Sequence, residues 1–212
     1  MKFYSQHKQD EYIFRNFFPE KRNGVFIDIG ASDGIDLSNS YFFEKELGWS
    51  GICIEPQKFF FDDLHKNRAC VCVEGCIADF NGEGIFLQIE GYARMLSGLV
   101  NKYDSRWLGI IDNAIKTNGG SKKEIEVNCY VLNDLLNKNN ISNIDLCSID
   151  VEGGELDILK TIDFNKFNFD VFTIENNYGG SEIKDFLEKK GFRFIERIMV
   201  DDIYKNTFND KT

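Results

Sequence analysis

The sequence predicts an α/β protein with a doubly wound, mostly parallel sheet and helices on both faces. Apolar runs of strand length alternate along the chain with segments whose apolar residues recur at helical spacing. Two of these runs, GVFIDIG and FDVFTIE, are apolar at consecutive positions, which is typical of strands buried on both faces of a parallel sheet. The chain has 212 residues, 42% of them hydrophobic, which is enough for one globular domain with a core.

The first third of the chain supplies three strands and three helices. Residues 8–18 carry apolar side chains at helical spacing and predict an N-terminal helix. The run GVFIDIG is the first strand, and SNSYFFEKELG is a helix that starts at Ser/Asn cap candidates and ends at Gly48. The second strand, GICIEP, ends at Pro56, and it is followed by a helix, QKFFFDDLHKNR, and a third strand, ACVCVEGC.

The alternation is interrupted between about residues 83 and 131. GIFLQIE and EIEVNCYVL predict strands, whereas the Gly- and Asn-rich segment between them predicts irregular structure. The alternation then resumes with LNDLLNK, NIDLCSID, GGELDILKTI, FDVFTIENN and SEIKDFLEKKG, before an antiparallel strand pair formed by FRFIERIM and DIYKNTF. We expect a single domain over residues 1–212, with an insertion at about 83–131 that shapes a substrate site.

Charge and composition narrow the classes of partner. The net charge of −10 and the pI near 4.8 make nucleic acid an unlikely partner. No apolar stretch is long enough to span a membrane, and the N-terminal segment lacks the apolar run of a signal peptide, so we expect a cytoplasmic protein.

The six cysteines are interpreted as reduced, buried thiols, because they lie in or at the end of apolar, strand-like runs. CVCVEGC has no paired CxxC spacing and no neighbouring histidine, which disfavours a zinc site.

The stretch VFIDIGASDG places an acid, Asp28, and two glycines, Gly30 and Gly34, at the end of the first strand. In open α/β sheets ligands bind at the carboxyl ends of the strands, and glycine lets the backbone approach a ligand closely. The GxGxxG pattern of dinucleotide folds is absent, which disfavours a nicotinamide-dependent oxidoreductase. An acid here would repel pyrophosphate and suits a cationic ligand, such as the ammonium group of S-adenosylmethionine.

Acids also end the next two strands. Glu55 ends GICIEP, where a carboxylate can accept hydrogen bonds from both ribose hydroxyls. Asp79 follows the third strand, where it either accepts a hydrogen bond from the adenine amino group or caps the turn with Asn81 and Gly82. Together these acids favour a nucleoside ligand.

Several longer segments carry a family resemblance: SQHKQD, GVFIDIGASDG with the SN that follows, LGWSGICIEP, GCIAD, VLNDLLNKNNISNIDLCSIDVEGGELDILK and FTIENN. With these segments the chain resembles the FkbM-type S-adenosylmethionine-dependent methyltransferases over nearly its whole length. The resemblance implies a seven-stranded, Rossmann-like methyltransferase sheet. It also implies transfer of a methyl group, usually to a hydroxyl on a sugar, a glycan or a small natural product.

Cofactor-binding residues follow from the resemblance by position. The loop after the first strand would shape the cofactor site, Glu55 would hold the ribose, residues 77–79 would flank the adenine, and the N-terminal residues would fold over the cofactor. The implied set is Gln6, Gln9, Asp10, Asp28, Gly30, Ala31, Gly34, Asn39, Glu55, Pro56, Ile77, Ala78, Asp79 and Asp150.

Methylation of a hydroxyl requires alignment of the acceptor oxygen and removal of its proton by a base or through a metal. Asp150 and Glu152 follow the strand NIDLCSID and are the predicted catalytic residues. Asp150, Glu175 and Asn176 offer the oxygen ligands that Mg²⁺ prefers.

Three alternatives remain open. His7 is a second candidate base, and Tyr92, Tyr103 and Trp107 are candidates for a wall of the acceptor site. The expected partner is a small-molecule or glycan acceptor, while the oligomeric state is open, with a homodimer as one option. A non-catalytic module that has kept the cofactor fold is the alternative to an enzyme, and turnover separates the two.

Overall fold

The structure, a computed structural model, describes residues 1–207. Its strands in chain order are β1 (Val25–Ile29), β2 (Ser50–Glu55), β3 (Val71–Glu74), β4 (Cys76–Ile77), β5 (Gly82–Gly91), β6 (Gly98–Leu99), β7 (Gly120–Tyr130), β8 (Asn143–Ile149), β9 (Asn168–Glu175), β10 (Phe192–Ile198) and β11 (Asp201–Asn206). The helices are α1 (Gln9–Phe17), α2 (Tyr41–Leu47), α3 (Lys58–Asn67), α4 (Ser105–Asn118), α5 (Leu132–Lys138), α6 (Glu155–Thr161) and α7 (Glu182–Lys189).

Seven strands form the main sheet, in the order β10-β11-β9-β8-β1-β2-β3. The pairs β1–β2, β1–β8, β2–β3 and β8–β9 are parallel, whereas β11 pairs antiparallel with both β9 and β10. Among these seven strands β11 alone is therefore reversed. The α/β class, the seven strands of a mostly parallel sheet and the antiparallel C-terminal pair are confirmed.

Two hydrophobic clusters cover opposite faces of this sheet. Neighbouring residues of β1 alternate between them, with Phe26 in one cluster and Ile27 in the other. The first cluster contains residues of α1, α2 and α3, and the second contains residues of α5, α6 and α7. Helices thus pack on both faces, as the alternating pattern predicts.

Aromatic rings dominate the cluster on the α1–α3 face. Phe42 and Phe43 are fully buried, and their ring centroids lie 5.4 Å apart in an edge-to-face arrangement. Trp49 packs against Phe43 at 4.7 Å. Such pairs contribute about 0.5–1.5 kcal/mol each beyond the area they bury. The paired phenylalanines at positions 42 and 43 are therefore core residues.

A second, four-stranded sheet in the order β4-β7-β5-β6 occupies the segment between β3 and α5. Its two long strands, β5 and β7, form the two strands expected there. The segment between them is not irregular, because it contains α4, a helix of 14 residues. Asp104 caps this helix by accepting a hydrogen bond from the Trp107 N–H at 2.7 Å.

The helices of residues 1–207 are all too short or too polar to cross a lipid bilayer. The six cysteines all carry free thiols; Cys53, Cys76, Cys129 and Cys147 are buried, and Cys70 and Cys72 are half-buried.

Candidate active site

A cleft of about 330 Å³ lies at the carboxyl ends of the parallel strands. Residues at or just after the ends of β1, β2, β8 and β9 line it, namely Ile29, Glu55, Asp150 and Glu175. After β3 the chain leaves the sheet and returns as β8 on the other side of β1. The strand order thus reverses between β1 and β8, and this reversal is where ligands bind in open α/β sheets.

The backbone of the loop after β1 lies close to the backbone of the residue that follows β8. Gly30 has a φ of 88°, and a Cβ at this position would lie 1.9 Å from the carbonyl oxygen of Asp150. Ser32 also has a positive φ, of 50°, and its N–H donates to Glu55 Oε2 at 3.0 Å. The glycine therefore permits close packing of β1 against β8, and the loop is fastened to the end of β2.

Glu55 is buried at the end of β2 and lines the cleft. Its carboxylate accepts hydrogen bonds from the N–H groups of Gln57 at 2.8 Å and Ser32 at 3.0 Å. Burial raises the pKa of Glu55 to about 7, although these two hydrogen bonds oppose the shift. Beside it, Gln57 Oε1 is buried and has no hydrogen-bond partner within residues 1–207. This end of the cleft therefore offers acceptors to a ligand with hydroxyl groups.

Asp28 does not line the cleft. Its carboxylate accepts hydrogen bonds from the hydroxyls of Ser40 and Ser38, and Arg68 donates to Ser40 Oγ at 2.9 Å in the same buried network. Burial raises the pKa of Asp28, while the positive charge of Arg68 acts in the opposite direction. The structure thus gives Asp28 a role behind the loop, and a direct contact with a cationic ligand stays a prediction.

Three other implied cofactor residues also do not line the cleft. Ala31 is buried and its N–H donates to the Ile54 carbonyl at 3.0 Å. Gly34 has a φ of 82°, and a Cβ there would lie 2.6 Å from the side chain of Leu64. Asn39 donates to Ser148 Oγ at 3.1 Å. Their contacts tie the loop to β2, α3 and β8.

The N-terminal residues divide into two that line the cleft, Gln6 and His7, and two that hold them there. Gln9 accepts a hydrogen bond from the His7 N–H at 2.8 Å and donates to Asp201. Asp10 accepts from the Tyr4 N–H at 2.6 Å. Gln9 and Asp10 are therefore placed to position the segment rather than to line the cleft themselves.

The predicted adenine side of the cleft is lined by Pro56 and by residues 77–79. Asn81, in the turn after Asp79, donates to Asp134 at 2.7 Å. Asp79 Oδ1 accepts a hydrogen bond from Lys102 Nζ at 3.0 Å. Lys102 was not singled out by the sequence, since a lysine in an apparently irregular segment carries no signal of its own.

Three carboxylates gather at the other end of the cleft. Oxygen atoms of Asp150, Glu152 and Glu175 all lie within 4.8 Å of one another. The surrounding protein removes the Asp150 carboxyl from water and, together with the charge of Asp201, raises its pKa to about 7. Asp150 is nevertheless accessible from the cleft. Burial, followed by the charge of Asp150, raises the pKa values of Glu152 and Glu175 well above their ordinary range. The carboxyls at this end of the cleft are thus harder to ionise than they are in water.

Two neighbours complete this carboxylate cluster. Glu152 has a positive φ of 61° and accepts a hydrogen bond from Asn177 Nδ2 at 3.2 Å. The indole N–H of Trp107 lies beside Glu152 and lowers the pKa of that carboxyl. This N–H is not placed to donate a hydrogen bond to any group within the described chain. Asn176 Nδ2 donates hydrogen bonds to Asp202 Oδ2 at 2.8 Å and to the Gly180 carbonyl at 3.0 Å. Glu152 therefore lies with Asp150 and Glu175, while the amide nitrogen of Asn176 is turned away to Asp202 and Gly180.

None of the three aromatic residues proposed for an acceptor wall lines the cleft itself, although Trp107 lies close to Glu152. Tyr92 is 77% exposed, Tyr103 donates its hydroxyl to the Leu96 carbonyl at 2.6 Å, and Trp107 packs against Tyr178 with centroids 5.7 Å apart. The inserted segment reaches the cleft through other side chains, namely Phe86, Met95, Leu96, Ser97, Leu99 and Lys102. The helix signal that would have placed Trp107 is the run of apolar residues after Asp104.

Comparison with known proteins assigns this fold to a family. The model of the methyltransferase FkbM domain matches residues 28–194. The chain belongs to the FkbM methyltransferase family. The matched range includes Asp28, Glu55, Asp150 and Glu175 and leaves out the N-terminal residues at the cleft. Among curated proteins, none matches the sequence.

A solved FkbM methyltransferase shares this fold. The FkbM methyltransferase from Methylobacillus flagellatus KT superposes with a TM-score of 0.52 over 93% of this chain and 47% of its own, at 12% identity. The N-terminal domain of human METTL16 gives a TM-score of 0.45 over 93% of this chain and 66% of its own, at 13% identity. This FkbM-family chain thus spans about half the length of the Methylobacillus protein.

Proposed function

We propose that this chain transfers the methyl group of S-adenosylmethionine to a hydroxyl oxygen of a sugar, a glycan or a small natural product. The observation that supports this is the joint placement of Glu55 and Asp150 in one cleft. Glu55 suits the ribose of the donor, and Asp150 suits the hydroxyl that must lose a proton. The fold and family support the methyltransferase class, and the cleft supports the choice of acceptor oxygen.

The residues of the cleft fit S-adenosylmethionine. Glu55 and the unpartnered Gln57 Oε1 are acceptors for the donated hydrogen bonds of a ribose. Pro56, Ile77 and Ala78 present apolar surface beside them, where a purine would be flanked. When bound, this cofactor supplies a methyl group on a positively charged sulfur, which is an activated leaving group.

Asp150 is the proposed general base. A carboxylate with a pKa of about 7 is half ionised near neutral pH, where proton transfer is efficient. The hydroxyl proton of the acceptor passes to an Asp150 oxygen as the oxygen–methyl bond forms and the sulfur–methyl bond breaks. Glu152 lies beside Asp150 and is the second proposed catalytic carboxyl at this end of the cleft.

The charge of the cleft favours a neutral acceptor. Lys102 and His7 are the basic residues among those that line it, against six acids, Glu55, Asp79, Asp150, Glu152, Asp157 and Glu175. An anionic acceptor such as a polyphosphate would be repelled, because the acids outnumber the bases in a confined space. An uncharged polyol carries hydroxyls for these carboxylates and avoids this repulsion.

The catalytic assignment is tested with Asp150→Asn and Glu152→Gln. We expect both variants to lose at least about 99% of turnover, a range that general acid–base catalysis contributes in enzymes, while S-adenosylhomocysteine still binds. Methyl transfer is measured with isotopically labelled S-adenosylmethionine on a panel of sugars and polyols, and binding by calorimetry. Glu20→Gln, at an exposed position, is the matched control. Full activity of both variants would refute the assignment, and binding of NADH in place of S-adenosylhomocysteine would refute the function.

The carboxylate cluster also fits a divalent cation. Three carboxylate oxygens within 4.8 Å of one another form a hard donor set of the kind that Mg²⁺ prefers. Glu175 Oε2 is buried and without a hydrogen-bond partner in the described chain, a state that a cation or a proton would relieve. We propose Asp150, Glu152 and Glu175 as ligands, while Asn176 is engaged with Asp202.

A titration with Mn²⁺, followed by electron paramagnetic resonance, tests this independently of turnover. The wild-type protein is expected to bind one Mn²⁺ per chain, and Glu175→Gln to weaken binding at least tenfold because a carboxylate ligand is lost. Glu20→Gln should bind like the wild type. Equal binding by Glu175→Gln would rule out Glu175 as a ligand, and full turnover after treatment with a chelator would separately exclude a metal-dependent reaction.

A further inference from the structure

Lys102 joins three elements at the adenine side of the cleft. Its Nζ donates to Asp79 Oδ1 at 3.0 Å and to Asp157 Oδ2 at 2.8 Å. Asp79 follows β4, Asp157 lies on α6, and Lys102 belongs to the inserted segment between β6 and α4. All three residues line the cleft. The inserted segment, which lies outside the main sheet, thus reaches the adenine side of the cleft.

The three side chains differ in their exposure. The Lys102 side chain is 10% exposed, whereas those of Asp79 and Asp157 are 46% and 39% exposed. Burial lowers the pKa of Lys102, but its hydrogen bonds with Asp157 and Asp79 outweigh this effect and raise it, so that the ammonium stays charged. The lysine is the fixed member of the group, and Asp79 is the more exposed of its two partners.

The position of Lys102 leaves Asp79 one oxygen for another donor. The ammonium engages Oδ1, so Oδ2 stays available at the cleft. A half-exposed aspartate after a short strand would otherwise sample several rotamers. Asp157 accepts a second hydrogen bond from the same ammonium at 2.8 Å, and this second anchor restricts where the Asp79 carboxylate points.

We propose that Lys102 is a positioning residue that determines which purine the cofactor carries, by holding Asp79 so that its free oxygen accepts a hydrogen bond from the 6-amino group of adenine. The inference rests on the proposed function, because it places the nucleoside of the donor in this cleft. Hypoxanthine carries a carbonyl oxygen at the same position, and that oxygen would face the Asp79 carboxylate without a hydrogen between them. A site built around a hydrogen bond rejects a ligand that cannot make it.

The test compares two nucleoside ligands by calorimetry: S-adenosylhomocysteine and its deaminated form, S-inosylhomocysteine. The wild-type protein is expected to bind the adenine form at least tenfold more tightly. Lys102→Met keeps the aliphatic stem but removes the ammonium, and should reduce this preference below threefold, mainly by weakening the adenine form. Lys102→Arg should restore most of the preference.

Two further variants serve as controls. Lys122→Met removes another lysine of the same inserted segment, one that pairs with Asp112 at the surface, and should leave the preference unchanged. Asp79→Asn should reduce the preference as Lys102→Met does, and it keeps the test decisive if the lysine variant fails to fold.

Each remaining outcome counts against the inference. If Lys102→Met weakens both ligands equally, the lysine only fastens the inserted segment, and the assignment is wrong. The same holds if Asp79→Asn keeps the full preference, or if S-inosylhomocysteine suffers the larger loss in Lys102→Met. If the wild-type protein binds neither ligand, the proposed function fails as well, whereas tight binding of both without preference refutes the role of Lys102 alone.

Discussion

Glu55 and Asp28 show how two acids at neighbouring strands can have different roles. Both are buried, and burial raises the pKa of each. Glu55 opens onto the cleft, whereas Asp28 is engaged by Ser40 and Ser38 behind the loop. The motif predicts the position of both acids at strand ends. It does not predict which way a carboxylate turns, because that depends on Arg68 and Ser40, which are distant in sequence.

A pH dependence of cofactor binding follows from Glu55. Its pKa is raised to about 7, so near neutral pH about half of the molecules carry a protonated carboxyl. Hydroxyls of a ribose donate to the charged form, and binding should therefore release a proton and strengthen as pH rises through 7. Calorimetry with S-adenosylhomocysteine from pH 5.5 to 8.5, in buffers of different ionisation enthalpy, measures both effects.

Glu55→Gln provides the comparison for this prediction. The variant should bind more weakly by about 1.5–3 kcal/mol, the range for hydrogen bonds to charged groups. Its affinity should also lose most of the pH dependence around 7. An unchanged pH profile in the variant would mean that another group carries the titration.

At the scale of elements, the strands and helices of the main sheet are those that the sequence predicts, and the inserted segment is not. Apolar runs such as GVFIDIG report burial on both faces directly. The helix α4 was hidden by the glycine at position 109 and by Asn- and Gly-rich flanks. Its signal is present, since Asp104 is a good N-cap and Trp107, Leu108, Ile111 and Ile115 follow at helical spacing.

Asp104→Ala tests whether that cap stabilises α4. Loss of the hydrogen bond to the Trp107 N–H should cost about 1 kcal/mol, the usual cost of removing an N-cap side chain. Amide hydrogen exchange should accelerate in the first turn of α4 and stay unchanged in β1 and β8. Asp104→Asn, which can also cap, should behave like the wild type, and equal acceleration throughout the chain would contradict a local effect.

At the scale of the whole molecule, the cleft gathers carboxyls whose removal from water opposes folding at neutral pH. Glu55, ordinarily near 4.5, and Asp150, ordinarily near 3.8, both have pKa values of about 7 in the folded protein. The folded state therefore binds more protons than the unfolded state between about pH 4 and 7. The site was predicted as a set of strand-end acids, but how closely they lie depends on the register of β8 against β1 and β9.

Stability of the ligand-free protein should consequently fall as pH rises through this window. Because the folded pKa values lie above the unfolded ones, this destabilisation is absent below pH 4 and complete above pH 7. Thermal unfolding in the presence of a chelator should give a midpoint that decreases from pH 5 to pH 8. The decrease should be smaller in Glu55→Gln and in Asp150→Asn than in the wild type. If both variants show the same decrease as the wild type, other groups are responsible.

The reversed strand β11 also bears on how the chain is synthesised. It is the last strand in sequence, yet it lies inside the sheet between β9 and β10. While the ribosome is still making residues 201–206, β9 and β10 have no shared neighbour, and Asp201 is not yet present to receive Gln9. The sheet and the N-terminal edge of the cleft can therefore close only after residues 201–206 have been made, and a chain that stops before β11 would expose two unpaired strand edges to proteases and to other chains.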